Sequence, residues 1–160
     1  MEEIKLDTKD VEILKFLQED CKKSIKEVSR RIGSPITTVY AKIKRMENLG
    51  VIENYKTVLN AKKIGKGTIA FIFVSFGYHS FETEKTLDQR EIAKKIAKFP
   101  EVQELHLITG DWDILIKIKA KDVDDVGKFV VDRLRKIEGI EKTLSCMVYD
   151  AIKESLDISL

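Results

Sequence analysis

The chain has very little of what sulfur or imidazole chemistry needs. Cys21 and Cys146 are its only 2 cysteines in 160 residues, and neither has a CxxC companion or a histidine nearby. That spacing argues against a structural zinc site and for two free thiols in a reducing compartment. His79 and His106 are the only histidines, scattered and without neighbours at ligand spacing, so no metal and no cofactor is expected. No apolar run approaches the ~20 residues of a membrane span. The charged N-terminus does not resemble a signal peptide. The expectation is a soluble, unexported, cytoplasmic protein with no membrane partner. Proline is scarce as well, with 2 residues, Pro35 and Pro100, each placed where a helix begins or closes.

What is present suits a folded, charged molecule. Apolar residues make up 43% of the chain, enough for a core, and charged residues 35%. Net charge is only +2, but residues 1–66 hold 15 Lys/Arg against 10 Asp/Glu, and residues 67–160 hold 14 against 17. A basic first part and an acidic second part suggest polyanion binding at one end and another task at the other. Chance scatter of charge would also produce an excess of that modest size.

The stretch from Ser24 to Ile52 organises the first part. Ser24 is an N-cap residue, and Glu27 three positions later completes a capping box. Ile25, Val28 and Ile32 mark one helical face, and Gly33 ends the helix in the left-handed conformation. Ser34-Pro35 starts a second helix at once, since proline suits the first helical position. That helix is expected from Pro35 to Leu49. At about 100° per residue, Ile36, Val39, Ile43 and Met46 face the protein. Thr37, Ala41, Lys44, Arg45 and Asn48 form the opposite arc, bordered by Thr38, Tyr40 and Lys42. Hydroxyls and small residues allow close approach to base edges, and cations suit phosphates and guanine. An ordinary amphipathic helix also has a charged outer face. The capped helix before it and the Gly-Ser-Pro turn favour a helix-turn-helix.

A first helix is expected over Leu6 to Asp20, capped by Asp7 or Thr8 and buried through Val11, Leu14, Phe16 and Leu17. Lys22 and Lys23 precede the next helix N-terminus, where either a phosphate contact or a solvated loop fits. Val51 to Tyr55 reads as extended. Residues 54–67, with Asn60, Lys62, Lys63, Gly65, Lys66 and Gly67, read as a linker containing a short strand.

From Thr68 the pattern changes. Ile69 to Phe76 is almost wholly apolar and rich in β-formers, as in a strand covered on both faces. A polar loop over His79 to Asp88 leads to a helix over Gln89 to Phe99. Strands over Val102 to Thr109 and Asp113 to Ala120 are hinged at Gly110-Asp111. A helix over Asp122 to Ile137, with Val123, Val126, Val130, Leu134 and Ile137 inward, stops at Gly139. A last strand runs from Ile140 to Ile152. The order β-α-β-β-α-β is ferredoxin-like. Two helices cover one face of such a sheet only, so the apolar residues of the first strand's other face need a second copy of the chain. A homodimer through this domain is expected. The class is α+β, with residues 1–53 a three-helix, winged helix-turn-helix domain, 54–67 a hinge and 68–160 the ferredoxin-like domain.

Three motifs together resemble the Lrp/AsnC family, the feast/famine transcription regulators of bacteria and archaea. They are LDTKDVEILKFLQED from Leu6, SPITTVYAKIKRMENLGVI from Ser34 and ITGDWDILIKI from Ile108, and the similarity extends to the tail after Tyr149. The resemblance implies a DNA-binding winged helix-turn-helix, and a C-terminal domain that dimerises and often senses an amino acid. It also implies assembly of dimers into tetramers or octamers. It places an effector pocket at the loop joining the second and third strands, here Thr109, Gly110, Asp111, Trp112 and Asp113. Asp111 or Asp113 would accept from an α-ammonium and amides near Gly110 would hold a carboxylate; a plain hairpin turn is the alternative. The loop around Phe81 to Thr86 is longer than the family's usual one, which bears on the pocket's shape.

The functional expectation is a non-enzymatic, sequence-specific regulator bound to double-stranded DNA. Thr37, Thr38, Tyr40, Ala41 and Lys44 are placed near bases; Lys42, Arg45 and the Ser34 amide are placed near phosphates. Two alternatives stand beside it. One is an architectural DNA-binding protein that senses nothing. The other is an enzyme akin to the haem-pathway decarboxylases that resemble this family in fold, for which His106 would be the available histidine.

Overall fold

A computed structural model describes residues 4–77 and 86–160. The expected polar loop from His79, and the long loop around Phe81, fall mostly outside those residues. The chain divides into two compact units, residues 1–58 with 153–160, and residues 59–152.

The first unit contains three helices, α1 (Thr8–Glu19), α2 (Ile25–Ile32) and α3 (Ile36–Asn48). Their ends follow from local chemistry. Asp7 caps α1 and accepts from the Asp10 amide at 2.8 Å, while Asp10 accepts from the Asp7 amide at 3.0 Å. Ser24 and Glu27 form the same reciprocal box on α2, which Gly33 closes at φ 61°. Each box satisfies two otherwise unpaired amides, an effect of ~1 kcal/mol per cap. Pro35 sits one place earlier than expected, as the N-cap of α3 with φ −56° and ψ 144°. Its extended ψ lets the chain turn sharply out of α2.

Two helix phases differ from expectation. In α1 the buried residues are Asp10, Ile13 and Leu14, with Phe16 and Leu17 only partly covered. The inward stripe thus passes through a carboxylate, a position that hydrophobic periodicity discounts. In α3, Val39, Ile43 and Met46 are buried as expected, whereas Ile36 in the first turn is 49% exposed. The core of this unit is small: Ile13, Leu14, Val28, Val39, Ile43 and Met46. The tail, expected with the second domain, lies with the helices. Gln18 of α1 holds its backbone like a neighbouring strand, accepting from the Ile158 amide at 2.7 Å and donating to the Ile158 carbonyl at 3.0 Å.

The second unit begins with a turn. The strand expected within 54–67 is instead a 3-10 turn over Lys62–Ile64, closed by Gly65 at φ 73°. A four-stranded antiparallel sheet follows, built from β1 (Thr68–Phe76), β2 (Val102–Leu107), β3 (Ile114–Ala120) and β4 (Ile140–Met147) in the order β2-β3-β1-β4. Helix α4 (Gln89–Ile96) links β1 to β2, and α5 (Val123–Lys128) links β3 to β4. This is the ferredoxin-like arrangement. Alternation along the central strands sends Ala70, Ile72, Val74 and Phe76 of β1, and Ile114, Ile116 and Ile118 of β3, into one core with both helices. Phe71 and Phe73 point to the other, partly open face.

Helix α5 continues as a π turn over Phe129–Arg133 and a 3-10 turn over Leu134–Lys136. The consecutive Phe129 and Val130, three and four residues after the buried Val126, both reach the core. Val123, expected inward, is 61% exposed in the first turn, and Phe129 is buried instead. Strand β4 ends at Met147, well before the expected Ile152.

Candidate nucleic-acid interface

The turn between α2 and α3 fixes the angle at which α3 is presented. The Ser34 amide donates to the Ser29 carbonyl at 3.1 Å, and the Ser29 hydroxyl donates to the Ser34 carbonyl. Ser34 is 6% exposed. Its amide, expected near a phosphate, is therefore already engaged in closing the turn. Its role in the structure is to lock two helices together. The N-terminus of α2 is likewise occupied, since Glu27 accepts from the Ser24 amide at 2.7 Å and from the Ser24 hydroxyl. Lys23 lies 4.2 Å from the Phe16 ring centroid and 3.8 Å from Glu19, tied to α1.

The outer side of α3 forms a shallow open depression lined by Thr37, Thr38, Ala41, Lys42 and Arg45. Tyr40, 51% exposed, flanks it, and the Lys44 ammonium sits 5.9 Å from the Tyr40 ring centroid. All of the α3 residues expected at the interface are thus on one surface. Their charges are another matter. Lys42 pairs with Asp7 and, at 2.9 Å, with Asp10; Arg45 reaches Asp10 at 3.2 Å. Hydrogen bonding to Asp7, ahead of that to Asp10, raises the Lys42 pKa. The same Lys42 contact lowers the Asp7 pKa. Asp10 is 1% exposed and accepts from the Asp7 amide, Lys42 and Arg45, so this buried carboxylate is fully hydrogen-bonded. It binds the N-terminus of α1 to the middle of α3.

Lys44 is paired too. It donates to Glu47 at 2.7 Å, which raises the Lys44 pKa and lowers that of Glu47. The other Glu47 oxygen accepts from the Tyr55 hydroxyl at 2.9 Å. Desolvation, with the Glu47 hydrogen bond second, pushes the Tyr55 phenol up to about 12, so it remains a donor at neutral pH. Sequence patterning placed Lys44 and Arg45 on the outer arc and Lys42 at its border, but could not reveal the partners of Lys42 and Arg45, because Asp7 and Asp10 come from outside α3; Glu47, three residues after Lys44, lies on α3 itself.

In the second unit, Gly110 turns the β2–β3 connection at φ 119°. Asp113 is committed to the sheet: its amide donates to the Val74 carbonyl at 3.0 Å, and its carboxylate accepts from the Phe76 amide at 2.8 Å. Trp112 packs on Phe73, with ring centroids 6.1 Å apart. Thr109, Gly110 and Asp111 are exposed, which leaves Asp111 as the outward-facing carboxylate of the five residues. On the strands beside this loop, Glu104 accepts from Lys117 at 2.9 Å, a contact that lowers the Glu104 pKa, and His106 lies 3.6 Å from Glu104. Cys21 and Cys146 are free and exposed. Among the described residues no group of three or more His, Cys, Asp or Glu is arranged to hold a metal. Also among them, no helix is long and apolar enough to cross a membrane.

A three-helix unit that presents the outer face of its third helix, joined to a ferredoxin-like sheet, defines a helix-turn-helix DNA-binding regulator. Family comparison agrees for both parts. Residues 6–53 match the winged helix-turn-helix DNA-binding model, and residues 69–158 match the Lrp/AsnC ligand-binding domain. The chain belongs to the Lrp/AsnC family of transcriptional regulators. It is 38% identical to an HTH-type transcriptional regulator of Pyrococcus abyssi, over 94% of this chain and 97% of the relative. It is 32% identical to the HTH-type transcriptional regulator FL11 of Pyrococcus furiosus, over 96% and 95%. Among solved structures it resembles a Neisseria meningitidis transcriptional regulator in complex with L-Met, with a TM-score of 0.88, 29% identity and 97% of each chain covered. The fold is also that of Escherichia coli AsnC, with a TM-score of 0.84 at 20% identity over 96% of this chain and 99% of the other.

Proposed function

We propose that α3 enters the major groove and reads base edges with Thr37, Thr38, Tyr40 and Ala41. The observation that carries this reading is the composition of the concave face. Its centre is made of small and hydroxyl-bearing side chains, which approach bases closely, and its cations are already held in fixed positions by Asp7, Asp10 and Glu47. Lys44 is the cation best placed to donate to a base; Lys42 and Arg45 flank the groove while remaining tied to α1.

A single α3 reads too few base pairs for specificity in a genome, so two copies are required. The open side of the sheet, with Phe71, Phe73 and the exposed Leu144, supports a homodimer that buries this face. Half-sites would then be centred ~34–36 Å apart or at a multiple of that spacing. Further association into tetramers or octamers belongs to the same reading. The protein acts in the cytoplasm and performs no catalysis.

The Thr109–Asp113 loop is the proposed effector site, for an amino acid. The relative solved with L-Met supports the ligand class. Asp111 would accept from the α-ammonium, whereas Asp113 would shape the loop through its bonds to β1. An effector changes DNA affinity only by binding two assemblies unequally.

The test is fluorescence anisotropy on the chain's own upstream duplex and a scrambled duplex, with and without pooled amino acids. A preference of ~10³-fold or more establishes sequence-specific reading. Equal affinities would make the protein an architectural binder and defeat the base-reading assignment. An unchanged affinity on adding amino acids would remove the effector assignment alone.

A further inference from the structure

Positive charge is not concentrated on the helix that reads. Residues 1–58 carry 12 Lys/Arg against 10 Asp/Glu, and residues 59–66 add three lysines and no acid. All three cations of α3 are tied to carboxylates of their own unit. Lys62, Lys63 and Lys66 are exposed, and their ammonium groups meet no partner among the described residues. No Asp or Glu occurs anywhere from residue 54 to residue 81.

These lysines stand on a built turn. Asn60 accepts from the Lys63 amide at 3.1 Å through its side chain, and the Lys66 amide donates to the Ala61 carbonyl at 2.8 Å. Gly65 takes the left-handed conformation that brings Lys66 back beside the 3-10 turn. The Lys62 stem lies along Gly67, where a Cβ would come within 3.1 Å of the Lys62 Cγ. Immediately after, the Thr68 hydroxyl donates to the Lys121 carbonyl at 3.2 Å, fastening the turn to the end of β3. Three ammonium groups are therefore presented together from a defined backbone.

We infer that the Asn60–Gly67 turn is a second DNA-contacting surface, which holds duplex phosphates outside the bases read by α3 and supplies the larger share of salt-sensitive affinity. The inference rests on the DNA-binding reading above. Affinity from phosphates comes from counterion release, and each phosphate must meet a cation that has charge to give. A lysine already paired must loosen its carboxylate first, so it returns less. Lysine is a point charge with no fixed donor geometry, suited to phosphates and poorly suited to discriminating bases. Along the chain, Asn48 at the end of α3 and Lys62 are separated by 14 residues. That limits their separation to ~50 Å, or ~15 base pairs of duplex.

The experiment uses the full chain and three variants: Lys62→Ala/Lys63→Ala/Lys66→Ala, the same positions changed to Arg, and Lys44→Ala/Arg45→Ala. Anisotropy titrations on the upstream and scrambled duplexes are run at several salt concentrations. The alanine turn variant should weaken binding to both duplexes by the same factor, about tenfold or more at low salt, and lower the log–log salt slope by ~2–3. The arginine variant should restore the parent slope, which excludes damage to the fold. The α3 variant should lower the slope by only ~1 and reduce the preference for the upstream duplex. An alanine turn variant that matches the parent, or loses affinity for one duplex only, overturns the inference. A larger slope change from the α3 variant overturns it as well. Failure of the parent to bind either duplex would instead overturn the DNA-reading assignment beneath it.

Discussion

The two units of this chain hold themselves together by different means. Among the described residues, the core cluster of the sheet unit holds 14 buried residues, all apolar, drawn from the sheet and both helices that cover it. The helical unit has six, and supplements them with two capping boxes, the Ser29–Ser34 turn bonds and a buried Asp10 that ties Lys42 and Arg45. A small domain buries a lower fraction of its surface, so directional contacts carry more of the task of defining its geometry. The consequence is functional. Charged groups position α3, beside the surface proposed to read DNA, whereas those that hold the sheet are sealed from water.

That contrast can be broken from either side. The largest effect is expected from Ile116→Ala, in the middle of β3, where a fully buried side chain leaves a cavity. The cost is about 3–4 kcal/mol, read by calorimetry as a lowered transition of the sheet unit, with the part of the α-helical signal that comes from α1, α2 and α3 retained at that temperature. Asp10→Ala comes next. Removing a buried carboxylate takes an acceptor from the Asp7 amide and from Arg45, but Lys42 keeps Asp7 and both cations reach water, so a loss of about 2–3 kcal/mol is expected, below that of a sealed ion pair. Chemical denaturation measures it, and a neutral outcome would show that the apolar cluster alone holds α3.

Smaller effects sharpen the comparison. Ser24→Ala should cost about 1 kcal/mol and change acid behaviour. Hydrogen bonds from Ser24 hold the Glu27 pKa below 4.5, its ordinary value. A carboxyl depressed in the folded state contributes stability above the ordinary value and loses it as pH falls through the depressed one. The parent should therefore lose stability over that acid window, and the variant should lose less. Last is Tyr55→Phe, which removes one hydrogen bond from Glu47 and should cost about 0.5–1 kcal/mol. Its thermal shift should be small, and a shift as large as that of Asp10→Ala would mean that Glu47 is a second anchor of α3.

Much of this was legible in the residues. Ser24 with Glu27, Gly33 and the Ser34-Pro35 pair marked α2 and α3 because caps and turns depend on neighbours three or four positions away. The strands and the Gly110 hinge were readable from period and punctuation for the same reason. Phase was harder. The buried stripe of α1 runs through Asp10, and a method that counts apolar residues moves the stripe toward Val11 and Phe16, missing Ile13. In the helix after Asp122, Phe129 is buried three residues after Val126, while Val123 in the first turn is exposed, because the end of the helix lies beyond the edge of the core. For the interface, residue types and their shared surface were readable on α3, but the state of its charges was not. Nor was the commitment of Asp113 and of the Ser34 amide to the fold.

The sequence by itself determined the class of protein: a capped helix pair with a hydroxyl-rich outer arc, followed by a β-α-β-β-α-β pattern, is set by contacts local to each element. Only the tertiary structure decided which cations are available. Lys42 and Arg45 carry the same charge as Lys62 and Lys66 in one dimension, and they differ because Asp7 and Asp10 arrive from 32 or more residues away to neutralise the first pair. Charge compensation depends on distance in space, and in this protein that distance is set by how α1 packs against α3.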